Sequence, residues 1–197
     1  MTNKWNPNGM VIQDIKCSEN CQSISPYDGV GRYLSWPLSN REDEPSKKIT
    51  AEAEEKWFGY YQGDEFALAT VPSIKYIEKY ISMCKSQNIE TRILWIETTR
   101  NSPRWQDSVP KTILLGYDYA TSQNHFSALY DDLYGDKIPP ILRKYKLALN
   151  SSGLLSKEED LISYIKDRNI VIEQGDNIEE YGDFCMYRIS VVKLNYR

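Results

Sequence analysis

Histidine is nearly absent: the 197-residue chain has one, His125. A zinc site normally takes four Cys or His ligands. Of the four cysteines, at 17, 21, 84 and 185, only Cys17-x-x-x-Cys21 has a spacing that begins one. No metal site is therefore expected, and no cofactor. No apolar run approaches the ~20 residues that span a bilayer. The longest blocks, Phe66–Val71 and Ile93–Ile96, are strand- or core-sized, so no membrane partner is expected. The first ten residues lack an apolar h-region and a small-residue cleavage site, and no export signal is read there. Without export, four widely spaced cysteines read as reduced thiols, with Cys84 and Cys185 as small core residues. The expected compartment is the cytoplasm. Basic residues are also short: 24 Lys and Arg face 28 Asp and Glu, a net charge of −4. Phosphate neutralisation needs clustered Lys and Arg, so nucleic acid is excluded as a partner.

Aromatics are plentiful, with 15 Tyr and 5 Trp against 4 Phe. Tyr and Trp carry an apolar body and a polar tip, which suits core margins and interfaces. Residues 1–50 are broken by Pro7, Gly9, Pro26, Gly29, Gly31, Pro37 and Pro45 into turns and short extended pieces, with Val11–Ile15 a candidate strand. They read as an irregular N-terminal segment packed on an α/β domain over 51–197. Thr50 caps a helix start rich in Glu. Pro72 opens a helix to about Gln87, whose Ile74, Ile77, Ile81 and Cys84 share one face. Thr91–Thr99 reads as a strand covered on both faces, because Ile93, Leu94, Trp95 and Ile96 are consecutive. A strand near Thr112–Tyr119 and helices over Asn124–Tyr134 and Ile141–Leu149 follow. Ser156-Lys-Glu-Glu159 reads as a capping box, with Leu161, Ile162 and Ile165 as the apolar stripe of its helix. Ile170–Glu173 and Phe184–Leu194 read as strands, the last able to run antiparallel. The fold class is α/β or α+β: one domain, a mixed central sheet and flanking helices.

Chemistry-bearing patterns are sparse. Asp118 closes an apolar strand and His125 lies just beyond it, where open α/β sheets gather ligands. With Ser122, Ser127 or a cysteine they would form a nucleophilic set. The plainer reading puts His125 in a helix's first turn and Asp118 on a backbone amide, with no nucleophile elbow nearby. Gly29-Val-Gly31 lacks the third glycine and the helix of a dinucleotide fingerprint, and reads as a turn. Trp57-Phe-Gly-Tyr-Tyr61 would stack a base, a sugar or another small molecule, or fill a core corner. No catalytic residue is assigned. An enzyme using Asp118 and His125 and a small-molecule-binding regulatory domain stay as alternatives.

Charge is more informative. Residues 173–183 carry Glu173, Asp176, Glu179, Glu180 and Asp183, with Tyr181 among them and no Lys or Arg. The plain reading is a solubilising loop. The functional reading is an acidic recognition patch with an aromatic anchor for a basic partner.

Residues 113–134 run Ile-Leu-Leu-Gly-Tyr-Asp-Tyr-Ala-Thr-Ser-Gln-Asn-His-Phe-Ser-Ala-Leu-Tyr-Asp-Asp-Leu-Tyr. This hydrophobic strand ending in Gly-aromatic-Asp, a polar turn and an aromatic-Ser-Ala helix resembles a segment of some bacterial polymorphic-toxin immunity proteins. The match covers about a tenth of the chain. The resemblance implies a cytoplasmic protein that binds and neutralises a cognate toxin domain. That family shares no catalytic residues, so none is carried over.

Overall fold

The four consecutive apolar residues of Thr91–Thr98 set the centre of the architecture. In the computed structural model Ile93, Leu94, Trp95 and Ile96 are all buried, on both faces of one strand. The structure describes residues 4–14, 78, 81–82, 85–86, 91–100, 105, 107–121, 127–134, 137–175 and 183–193. Its strands are β1 (Asn6–Asp14), β2 (Thr91–Thr98), β3 (Thr112–Thr121) and β4 (Phe184–Val192). Its helices are α1 (Ala128–Tyr134), α2 (Arg143–Ala148), entered through a 3-10 turn at Pro140–Leu142, and α3 (Glu158–Glu173). Glu78, Ile81, Ser82, Lys85 and Ser86 are helical, and Ile81 is buried as its place on the apolar face requires.

The sheet order is β1-β2-β4-β3, so the chain's last strand inserts between β2 and β3. The α/β class with helices flanking one central sheet is what the structure has; the sheet is not mixed in direction as expected, because all three pairings described are antiparallel. Alternate side chains of a strand face opposite ways. On one face Leu94, Ile96, Ala120, Tyr187 and Ile189 pack with Leu154. On the other, Tyr117 packs with Leu129 and Leu133 of α1, Tyr145 of α2, and Leu161, Tyr164 and Val171 of α3.

Several sequence expectations need correction. Ile170–Glu173 is not a strand: it is the last turn of α3, because Leu161, Tyr164, Arg168 and Val171 continue one helical face. Of the expected stripe, Leu161 is buried and Ile165 packs against the same cluster, whereas Ile162 is exposed. The helix ends at Gly175, whose φ of 79° takes the left-handed turn and lets its N–H reach the Ile172 carbonyl at 3.0 Å. The Ser156 capping box does not form. Lys157 holds the N-cap position without a side-chain bond, and the Ser156 hydroxyl accepts from Asn150 Nδ2 at 3.5 Å. Strand β1 begins at Asn6, five residues earlier than expected: Pro7 and Gly9 both pair with β2, and a bulge leaves Asn8 between them as the extra residue. The calls at Cys17, Cys21, Gly29, Gly31, Thr50, Trp57–Tyr61 and Cys84 lie outside the described residues. Cys185 is a free thiol, half-buried beside the Leu94 cluster.

The sheet is pinned across its middle by a charge pair. Glu97 and Arg188 are register partners on β2 and β4, joined by two hydrogen bonds, one of them 2.6 Å. Arg188 also lies under the Trp5 ring, 5.3 Å from its centroid, and Trp5 Nε1 donates to Glu158 at 3.1 Å. The residue before β1 is thereby tied to the start of α3.

Burial in this core has a pH consequence. Tyr117, Tyr145, Tyr164 and Tyr187 all hold their protons above the ordinary tyrosine value of 10.0, chiefly because burial disfavours the phenolate. Tyr145 is pushed up to about 12. A raised native pKa adds stability below pH 10 that is lost as pH rises through the native value, so the chain should lose stability in alkali. Titration at 295 nm should show at least these four tyrosines of the 15 lagging behind a urea-denatured sample, then ionising together with loss of far-UV ellipticity. Ionisation of all 15 near pH 10 in a still-folded chain would overturn this.

Candidate functional site

Strand β3 carries the first candidate. The strand runs three residues past Asp118, so Asp118 does not close it. Its carboxylate is fully buried. Oδ1 accepts from the Tyr119 N–H and from the Ser127 hydroxyl, each at 2.8 Å. The same Ser127 oxygen accepts from the Tyr130 N–H at 3.2 Å, which makes it the cap of α1. Aspartate and serine thus act as a relay that fastens α1 to the edge of β3, supported by a backbone bridge between Ala120 and Ser127. Ser127, one of the nucleophile options, is buried and engaged at both hydrogen-bonding faces. Ser122 and His125 lie outside the described residues.

Below α1 lies a second buried polar group. Asp132 Oδ2 accepts from Tyr164 Oη at 2.5 Å and from Arg168 Nε at 2.9 Å. The Arg168 guanidinium stacks on Phe184, 4.8 Å from its centroid. Burial pushes the Asp132 carboxyl above the usual carboxylate range, although Tyr164 and Arg168 pull it down. This trio links α1, α3 and the first residue of β4. Its residues were not singled out from sequence, because Asp132 and Arg168 stand 36 positions apart and neither belongs to a motif.

The acidic segment begins and ends on fixed elements. Glu173 is the exposed last residue of α3, and Asp183 is exposed just before β4. Asp176, Glu179, Glu180 and Tyr181 lie outside the described residues. One base stands nearby in space that the local sequence does not show: Arg100 Nη2 lies 3.8 Å from Asp183 Oδ2, with both side chains mostly exposed. A pair this long and wet contributes little. It still trims the negative field at the Asp183 end.

Among the described residues, no cluster of three or more His, Cys, Asp or Glu side chains is placed to hold a metal ion. Among them, too, no helix is long and apolar enough to cross a membrane. No protein-family model, no curated protein and no solved structure matches the chain.

Proposed function

We propose that this chain is an immunity protein: it works in the cytoplasm and neutralises a cognate bacterial toxin domain by binding it, without catalysis. The observation that carries the reading is the run of five carboxylates from Glu173, the last residue of α3, to Asp183, the residue before β4, anchored at both ends on the sheet-and-helix core. The likeness of residues 113–134 to immunity-protein segments supports it, and the described part of that stretch comprises most of β3, Ser127 and α1. Carboxylates gathered on one segment raise encounter rates with a basic partner, an effect screened over about 10 Å at 0.1 M salt. Tyr181 supplies the desolvated anchor, because aromatic anchors set dissociation while rim charges set association.

The test is surface kinetics against the toxin domain encoded by the adjacent gene, at two salt concentrations. Glu179→Lys with Glu180→Lys should slow association about tenfold at low salt and flatten its salt dependence. Tyr181→Ala should mainly speed dissociation, by about tenfold or more. Unchanged rates in both variants would return the segment to a solubilising role, and absence of binding by the unaltered chain would sink the immunity reading itself.

A further inference from the structure

Strand β3 is an edge strand, and its outer edge is closed along only part of its length. Backbone groups in an antiparallel pair alternate between facing the partner and facing away. Lys193 N–H donates to the Lys111 carbonyl at 2.8 Å, so Lys111 faces β4, and Thr112 and Leu114 face outward. The extra residue of a bulge between Leu114 and Gly116 shifts the alternation by one, so Tyr117 faces outward. From Leu115 onward the edge is occupied. Asn150 Nδ2 donates to the Leu115 carbonyl at 2.8 Å, and Tyr117 exchanges two backbone bonds with Leu155, at 2.8 and 3.0 Å. Ser127 and α1 cover the far end. Among the described residues nothing closes the edge at Thr112–Leu114.

The side chains there are unusual too. Ile113 is 52% exposed, Leu114 44% and Val109, just before the strand, 60%. Ile113 shares a face with Lys111, two residues earlier, and Lys193 stands opposite Lys111 across the pair. Both lysines are exposed. Edge lysines discourage pairing with a second copy of the same edge, since like charges would meet, but welcome a strand that brings a carboxylate.

We infer that the Thr112–Leu114 edge of β3 is a strand-addition site for an extended segment of a protein partner that reads two adjacent apolar residues, any residue, then Asp or Glu. Paired antiparallel, the two apolar residues stand beside Leu114 and Ile113, the third beside Thr112, and the carboxylate beside Lys111, with Lys193 one strand further in on the same face. Main-chain bonds to Thr112 and Leu114 hold the segment, and the flanking side chains select it. The Asn150 cap stops pairing after Leu114, which limits the recognised stretch to about four residues. This site goes beyond the acidic segment, which joins the sheet at the opposite end of β4, roughly 30 Å away at about 3.3 Å per strand residue.

The test uses the full chain and a fluorescein-labelled peptide, Ser-Val-Val-Thr-Glu-Ser, followed by anisotropy up to about 1 mM protein, with hydrogen exchange to locate contact. Binding with added protection at Thr112 and Leu114 is expected. Thr112→Pro removes an outward N–H that makes no bond to β4, at a strand start where proline is tolerated, and should weaken binding about tenfold. Ile113→Lys, at an exposed position, should weaken it similarly whether or not the proline variant folds. Lys111→Glu should weaken it about fivefold and favour the same peptide with Lys in place of Glu. No binding, protection elsewhere, or affinity unchanged in Ile113→Lys would overturn the inference.

Discussion

Asp132→Ala should lower the stability of the folded chain by about 3–5 kcal/mol, the usual penalty for removing one partner of a buried charge pair. Arg168 is 3% exposed, and its Nε–H donates to Asp132 at 2.9 Å. Without that carboxylate the guanidinium keeps its position against Phe184 but loses its buried countercharge. Tyr164, fully buried, loses its acceptor at the same time. The truncation thus removes the acceptor of two buried donors, Tyr164 Oη–H and Arg168 Nε–H, and an unsatisfied buried donor costs about 1–3 kcal/mol. The charge pair itself need not be strongly stabilising, because burial opposes ionisation of Asp132. The double variant Asp132→Ala, Arg168→Met should therefore recover at least half of the loss, since a flexible apolar side chain fills the space without a charge. Urea unfolding of the three chains measures this. A loss under 1 kcal/mol in Asp132→Ala, or a double variant less stable than the single one, would show that the trio is not buried as described.

The same residues show where sequence reading stops. Strands β2 and β4, and most of β3, were legible because apolar content and β-branched residues mark them locally. The end of α3 was misread for a reason of the same kind. Ile170, Val171 and Ile172 form a β-branched run, and only the spacing back to Leu161 and Tyr164 assigns it to the helix. Helical continuity wins because Val171 is buried with that face. Strand β1 was legible only from Val11, since Pro7 and Gly9 signal turns and a bulge is not visible without its partner strand. The Ser156 box had the right letters, but a hydroxyl serves whichever neighbour folding brings to it, and here that neighbour is Asn150. In the acidic segment charge and aromatic content were legible from composition, whereas Arg100 beside Asp183 depends on β2 ending next to the start of β4. The Asp118–Ser127 relay spans nine positions and was within reach of sequence as a pairing of aspartate with a helix start. Asp132 with Arg168, and the open edge of β3, are products of topology alone.

Gly116→Val should destabilise the chain by about 3 kcal/mol and, more tellingly, make it self-associate. A side chain at Gly116 meets fixed atoms: an added Cβ would lie 2.6 Å from Leu154 Cβ and 2.8 Å from the Leu155 carbonyl oxygen. One of those contacts is backbone, so the clash cannot be relieved by rotating a flexible side chain. Overpacking of this kind costs about 1–3 kcal/mol. The segment that must give way is the one that closes the edge. If Leu154 and Leu155 retreat, Tyr117 loses both of its outer backbone bonds, and Asn150 is drawn off the Leu115 carbonyl. The open edge then lengthens from Thr112–Leu114 to Thr112–Tyr117, with Ile113 and Leu114 already exposed along it. A longer, flatter, apolar edge is a template for another chain. Thermal unfolding should show the lower midpoint, and light scattering should show aggregates that form faster at higher concentration while the protein is still folded. Asn150→Ala removes the cap without the clash, and should raise self-association with a smaller stability loss, about 1 kcal/mol. A Gly116→Val chain that is destabilised yet stays monomeric at every concentration would mean that Leu154 and Leu155 hold the core but do not guard the edge.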